Sequence, residues 1–463
     1  MVDTGSTDAT REIAGRFGAR VFEFPWVDSF AAARNESVRH ATGDWVFWLD
    51  ADDRLDEANR GRLRALFAGL EDELAAYVMK CVCLPDRATG SVMAVDHVRL
   101  FRNHPDLRWQ YRVHEQILPA VRRLKGEVRW SDVVIHHTGY QDPALRRRKL
   151  ERDLRLLRLE DGQQPDDPFV MFNLGCIHNE LGQPAEAAGF LRRSLERSRP
   201  GDSIVRKLYA LLARCERHLG KGQESLAACA AGRRHYPDDT ELLFQEALVR
   251  RELGDPAGAE ACLLRLLTTH EGPHFASVDA GLRGHKARHN LAVLYREQGR
   301  HAEAEEQWRA AVGDNPDYTP AWLALGELYL AGGRWQELEE TARELEASEQ
   351  RSPLEGAVLR ARGCLARREF GEARRLLTEV VGRWAGEVRP RALLTHALLQ
   401  EGKDLPAAEE ALRALLAIAP DHAEARHNLA LLLQRQGRTV EAAGLAPEQV
   451  VAALYRDEGT THP

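Results

Sequence analysis

The run Trp45-Val46-Phe47-Trp48-Leu49-Asp50-Ala51-Asp52-Asp53 is apolar up to its last residues and then carries three carboxylates. Carboxylate oxygens suit hard divalent cations, and a cation held by only one or two of them keeps positions open for phosphate oxygens. In an extended segment residues i and i+2 point the same way, so Asp50 and Asp52 are expected to converge on one ion. The plainer reading is that Asp52, Asp53 or Asp56 caps a helix starting near Glu57. Upstream, Val2-Asp3-Thr4-Gly5-Ser6-Thr7-Asp8 reads as a strand end, a glycine-containing turn and a helix start, with Thr7 or Asp8 as its cap. Such a loop offers backbone N–H groups and one carboxylate to a ligand.

These residues need a scaffold, and from Val2 to about Tyr140 short apolar runs alternate with short helical patterns, the grammar of an α/β domain. The runs Arg20 to Phe24 and Trp45 to Leu49 predict strands. The second is almost continuously apolar, as a parallel strand covered on both faces would be. Ser29 is placed to cap a helix through about Ala41 that Gly43 ends. Ala76 to Leu84, His97 to Phe101 and Val133 to His137 predict further strands. In an open α/β sheet, ligands sit beyond the carboxyl ends of strands, where Asp50 to Asp53 fall.

After Asp142 the texture changes to Ala, Leu, Arg and Glu at helical spacing. Gly182, Gly220, Gly254, Gly299, Gly333, Arg368, Gly402 and Gly437 recur mostly at steps of 34 or 35 residues, as residues that close the first helix of a repeated pair. The unit around Gly299 carries Leu291, Ala292 and Tyr295, then Ala304, Trp308, Ala311 and Pro316. Small residues there let two antiparallel helices approach while large ones fill the space between units. Leu174, Gly175, Ala187 and Leu191 repeat the pattern at the start of the array, and Leu429, Ala430 and Ala442 at its end. The region resembles the tetratricopeptide family, whose period is about 34 residues. One longer step predicts an inserted loop near His270 to His285, whose His270, His274 and His285 read as solvated loop residues rather than metal ligands. Asn173, Asn290 and Asn428 occupy equivalent positions and resemble the inward asparagines of arrays that hold peptide backbones. The alternative is polar surface residues.

The loop Val2 to Asp8, Ala33-Arg34-Asn35 and Asp50-Ala51-Asp52, in this order and spacing, resemble family 2 glycosyltransferases of GT-A fold. The resemblance covers about residues 2 to 155 and implies an N-terminally truncated, Rossmann-like nucleotide-sugar-binding domain. It further implies that Asp3, Arg34, Asn35 and Asp50 contact the nucleotide-sugar donor, a UDP-sugar, and that Asp50 and Asp52 hold Mn²⁺ or Mg²⁺. Within Arg108-Trp109-Gln110-Tyr111-Arg112-Val113-His114-Glu115, the His-Glu step follows the strand Arg99 to Arg102. That arrangement resembles the subgroup of lipopolysaccharide-core glucosyltransferases and bacteriocin S-glycosyltransferases. It implies Glu115 as the general base, with His114 as second candidate. His137, in Val133-Val134-Ile135-His136-His137-Thr138-Gly139-Tyr140, is implied as a further metal ligand. Complete members begin with an earlier strand and helix, whereas this sequence starts at the second strand. It is therefore expected to be a fragment or to carry a mis-assigned start, with an apolar sheet edge exposed.

The expected architecture is a glycosyltransferase domain over 1–141, a linking helix over 142–166, about eight tetratricopeptide helix pairs over 167–455 and a disordered tail over 456–463. The formal net charge of −7 over 463 residues gives no electrostatic footprint for nucleic acid. No apolar run is long enough for a transmembrane segment, and no secretory signal is apparent, so a cytoplasmic protein is expected. Seven scattered cysteines read as small buried hydrophobes, Cys81 and Cys83 being the one close pair. The expected acceptor is a glycan or a peptide, recruited with a protein partner by the repeat groove. The rival expectation is a binding scaffold that carries a non-catalytic glycosyltransferase remnant.

Overall fold

The computed structural model describes residues 1–83, 92–139, 143–270, 275 and 277–445. The expected tail at 456–463, Leu84, Tyr140 and His274 lie outside the described residues. The chain divides into two compact units, Met1–Gln298 and Gly299–Pro463.

The first unit opens with β1 (Val2–Asp3), α1 (Thr10–Arg16) and β2 (Phe22–Glu23). β1 and β2 pair in parallel as a two-stranded sheet of their own. Then come α2 (Phe30–Arg39), β3 (Trp45–Phe47), β4 (Asp53–Arg54), α3 (Glu57–Ala68), β5 (Ala75–Cys83), β6 (Met93–Arg102), α4 (Leu118–Arg123) and β7 (Glu127–His137). The main sheet runs β3-β6-β5-β7-β4 and is mixed: β5 and β7 are parallel, whereas β3 pairs antiparallel with β6. The expectation of a parallel β3 is therefore corrected. An apolar run reports burial, not strand direction, and β3 is only half buried.

β5 explains the layering. Its side chains alternate, with Ala76 and Val78 packing on one face beside Ala31 and Val38 of α2, Leu118 and Val121 of α4 and Ile117 just before it. Ala75, Tyr77, Met79 and Cys81 pack on the other beside Leu63 of α3, so helices cover the sheet on both sides. Two N-caps follow the sequence, Ser29 Oγ accepting from the Ala32 amide at 3.2 Å and Asp56 from the Asn59 amide at 2.7 Å, whereas α1 begins after Ala9 rather than on a Thr7 or Asp8 cap and α2 ends at Arg39, short of Gly43.

The long helix α5 (Pro143–Gln163) leads into α6 (Pro168–Glu180), α7 (Pro184–Arg197), α8 (Val205–His218), α9 (Gly222–His235), α10 (Thr240–Glu252), α11 (Pro256–Thr268) and α12 (His285–Glu297). The second unit consists of α13 (His301–Asp314), α14 (Thr319–Ala331), α15 (Trp335–Glu346), α16 (Pro353–Ala366), α17 (Phe370–Arg383), α18 (Val388–Glu401), α19 (Leu405–Ile418), α20 (Ala423–Arg435) and α21 (Thr439–Ala443). All eight repeat-closing positions adopt positive φ, from Gly182 at 71° to Gly437 at 78°, and the non-glycine Arg368 does so at 61°. Close packing needs the small residues: a Cβ on Gly175 would lie 2.7 Å from the Leu191 side chain, and one on Gly363 2.6 Å from that of Leu338. Ion pairs repeat the period, as Lys207–Glu241 at 34 residues' separation and Arg217–Glu252 at 35. Arg389–Glu355 repeats the same 34-residue offset in the second unit.

Two expectations about the array are revised. The insertion is not a free loop: it carries β8 (Val278–Asp279), which pairs antiparallel with Met93 and Ala94 of β6, and His285 is buried rather than solvated. Unpaired N–H and C=O groups on a strand edge attract such a segment. Asn173 is buried rather than at the surface, and Asn173 and Asn290 donate to the carbonyls of Phe169 and Lys286 in their own helices, both at 2.8 Å. The basic stretch Arg146 to Arg148 is an exposed helix face. Among the described residues, no helix is long and apolar enough to cross a membrane.

Because Arg368 pays the steric cost of a left-handed residue that glycine avoids, Arg368→Gly is expected to stabilise the second unit by about 1 kcal/mol in urea unfolding. Gly333→Val should shift the midpoint the other way. No shift in either variant would contradict this reading of the repeat turns.

Candidate active site

β3 stops at Phe47, and the chain then turns. The Asp53 amide donates to the Asp50 carbonyl at 3.0 Å, and Asp53 Oδ2 accepts from the Asp50 amide at 2.9 Å. This tight turn replaces the extended geometry expected for Asp50-Ala51-Asp52, so it brings together residues i and i+3, Asp50 and Asp53. The β4–β7 register then sets His137 opposite Asp53. Asp50, Asp53 and His137 consequently each offer a ligand atom within 4.8 Å of the others.

Asp53 is the buried centre of this group. His137 Nδ1 lies 3.0 Å from Asp53 Oδ1, and Arg99 Nη1 donates to Asp53 Oδ2 at 2.8 Å. Burial pushes the Asp53 carboxyl up, but the His137 hydrogen bond, the Asp50 amide and the Arg99 charge outweigh it and hold it below its usual range. The same hydrogen bond raises His137 against the opposing effect of burial. With Nδ1 turned to Asp53, His137 Nε2 faces Asp52 Oδ2 at 3.5 Å. Gly139 makes that convergence feasible: a Cβ there would stand 2.5 Å from Asp52 Oδ2 and 2.7 Å from His137 Nε2.

Arg99 reaches the site from β6 and is 3% exposed. Besides Asp53 it approaches Asp50 Oδ2 at 3.6 Å, and its guanidinium lies 3.8 Å from the Trp48 ring centroid. Its Nη2 also contacts Cys81 Sγ at 3.2 Å. Burial lifts the Cys81 thiol to about 11, and Cys83 is raised for the same reason, so both stay protonated thiols at neutral pH. Arg34 approaches from α2, 4.1 Å from the Trp48 centroid and 5.2 Å from that of Trp109. It joins the two halves of the site: Nη2 donates to Asp50 Oδ1 at 3.0 Å and Nε to Glu115 Oε1 at 2.5 Å. Glu115 is therefore linked to the acidic turn through one guanidinium, while the neighbouring His114 side chain is exposed.

Two residues expected at the donor also hold the chain. The buried Asp3 carboxylate accepts from the amides of Gly5 and Ser6 at 3.2 and 3.1 Å and pairs with Arg11 Nε at 3.0 Å, and Ser6 leads the contacts that lower its pKa. Asn35 clamps the Trp109 backbone, donating to its carbonyl at 3.0 Å and accepting from its amide at 2.8 Å. Arg99, Trp48 and Trp109 belong to the site although the sequence alone gives none of them a role there, and Asp53, expected among the carboxylates beyond the strand or as a helix cap, is its buried centre. The one available signal for Arg99 was a charged residue in a strand otherwise fit for burial.

Removing one partner of a buried ion pair leaves the other charge uncompensated, so Asp53→Ala is expected to cost the first unit about 3 kcal/mol in chemical unfolding. A loss below about 1 kcal/mol would contradict the pairing described. Cys81 should resist a thiol reagent at pH 8 until the chain unfolds, and ready labelling of the native protein would contradict its burial.

Residues 1–116 match the glycosyl transferase family 2 model, and residues 289–353 and 394–453 match a tetratricopeptide repeat model. A TPR repeat-containing protein of Synechococcus elongatus is 32% identical over 227 residues, 48% of this chain and 55% of that protein. The SPbeta prophage-derived glycosyltransferase SunS of Bacillus subtilis is 26% identical over 210 residues, 42% of this chain and 46% of that protein. The chain thus spans about half the length of the curated relatives it matches. A solved tetratricopeptide repeat protein from Parabacteroides merdae is 16% identical, with a TM-score of 0.40, over 57% of this chain and 98% of that one. The chain carries a family 2 glycosyltransferase domain at its N-terminus, followed by tetratricopeptide repeats.

Proposed function

We propose that the protein transfers a sugar from a UDP-sugar to a glycan or peptide acceptor with inversion at the anomeric carbon, using a divalent cation. The observation that carries this reading is the acidic turn Asp50–Asp53, drawn beside His137 on one side and joined to Glu115 through Arg34 on the other.

In this reading Glu115 takes the proton from the acceptor's nucleophilic atom as that atom attacks the anomeric carbon. The bond to the diphosphate oxygen breaks and UDP departs. His114, exposed beside Glu115, is the second candidate for the proton transfer. Asp50, Asp52 and His137 would hold Mn²⁺ or Mg²⁺, which offsets the charge of the leaving diphosphate. The donor set fits: hard carboxylate oxygens, an imidazole oriented by a carboxylate, and the room that Gly139 leaves between Asp52 and His137. Asp3, Arg34 and Asn35 would line the nucleotide pocket, with Arg34 turning from its carboxylate partners toward the phosphates. The repeats would bring the acceptor, or a protein that carries it, to the domain.

A second reading, a repeat scaffold with a non-catalytic remnant, draws on the Synechococcus relative, which is named for its repeats alone, and on the internal pairing of Asp3, Arg34 and Asp50. Isothermal titration of UDP separates the two. The enzyme reading predicts binding that requires Mn²⁺, is abolished in Asp50→Ala and Asp52→Ala, and weakens at least tenfold in Gly139→Ala. Glu115→Gln should keep UDP binding and lose roughly 10²- to 10⁴-fold in turnover. Metal-independent binding, or none, would favour the scaffold.

A further inference from the structure

The segment that presents Glu115 is strained. Tyr111 and His114 both adopt left-handed backbone conformations, with φ of 71° and 56°, and a reciprocal pair of 3.0 Å hydrogen bonds between Gln110 and Gln116 closes the loop around them. Neither residue is a glycine, so this conformation persists only where its surroundings over-determine it.

Those surroundings lie outside the glycosyltransferase match, which ends at residue 116. The Arg112 amide donates at 2.9 Å to Oε2 of Glu160, an acid of α5 that is 5% exposed. The Arg112 guanidinium reaches Gln163 of the same helix at 2.9 Å. Val113 is buried among Leu156 and Leu157 of α5 and Val170 and Leu174 of α6. The Tyr111 ring packs 4.6 Å from that of Phe169, and its hydroxyl lies 3.4 Å from Asp167, the residue that caps α6. Three consecutive residues are thus fixed by α5 and α6, and two residues later Glu115 meets Arg34.

We propose that α5 and the first repeat helix are part of the catalytic apparatus: Glu160, Asp167 and Phe169 are positioning residues that hold loop 110–116 in the conformation that sets Glu115 against Arg34 and Asp50. The proposal rests on the glycosyltransferase reading for its activity readout. It makes the array a builder of the site as well as a recruiter. A hydrogen bond from a backbone amide to a buried carboxylate, combined with apolar packing on either side, holds such a loop, and a displacement of about 1 Å at a reacting group costs on the order of 10²-fold in rate.

The test uses the full chain, with UDP release from UDP-glucose, UDP-galactose and UDP-N-acetylglucosamine in the presence of Mn²⁺. Glu160→Ala and Tyr111→Ala are expected to lower kcat at least tenfold while KM for the donor and the stoichiometry of UDP binding stay within twofold of wild type. Glu160→Gln, which keeps an acceptor for the Arg112 amide, restores turnover. Activity that falls only in proportion to UDP-binding stoichiometry, or does not fall, overturns the proposal. If the wild-type chain releases no UDP from any of the three, the enzyme reading fails separately, and amide exchange decides the positioning claim. Protection at Arg112 that is lost in Glu160→Ala supports it, and an unprotected Arg112 in the wild type overturns it.

Discussion

The Arg99 guanidinium is the constraint on which the site depends. It is buried on β6, and a charge in that position is tolerated only with close partners. It finds them in Asp53, Asp50, the Cys81 sulfur and the face of Trp48. Each contact has a structural consequence. Asp53 closes the turn after β3 through one oxygen, which leaves its other oxygen for His137. Trp48 is pinned between arginines from two elements, and Arg34, the second of them, carries the connection on to Glu115. A hydrophobic residue at 99 would leave Asp53 buried without a cation, and the acidic turn would lose its reason to fold inward.

The two halves of the chain depend on different physics. In the sheet domain the site is built by long-range pairings, whose geometry follows strand register. In the array, order comes from nearest-neighbour packing of small residues against large ones and from ion pairs that recur at the repeat period. They meet within the first unit, where α5 and α6 grip loop 110–116 and where β8 extends the sheet at β6, the strand that carries Arg99. The repeats closest to the sheet domain therefore contribute to its structure directly.

What was legible in the sequence follows from this division. Local signals were read well: the periodic glycines, with Arg368 in the same left-handed role, the caps Ser29 and Asp56, and the carboxylates at the end of an apolar strand. Pairings between distant segments were not. Arg99 and Asp53 stand 46 residues apart, and nothing local says that β3–β6 and β4–β7 registers bring them together. The expectation for Asp50 and Asp52 assumes an extended chain, whereas the chain turns after β3 and sets Asp50 beside Asp53 and Asp52 beside His137. The resemblance gives Asn35 a place at the donor but says nothing of its clamp on the Trp109 backbone, 74 residues away. The direction of β3 was misread because an apolar run looks the same in parallel and antiparallel sheets.

That Arg99 organises the site is tested by the Mn²⁺-dependent UDP affinity of Arg99→Lys in isothermal titration. Lysine keeps the charge but has neither the planar face that stacks on Trp48 nor the fork that reaches Asp53, Asp50 and Cys81 together. UDP binding is expected to be at least tenfold weaker in a variant that remains folded. Wild-type affinity in Arg99→Lys would contradict it.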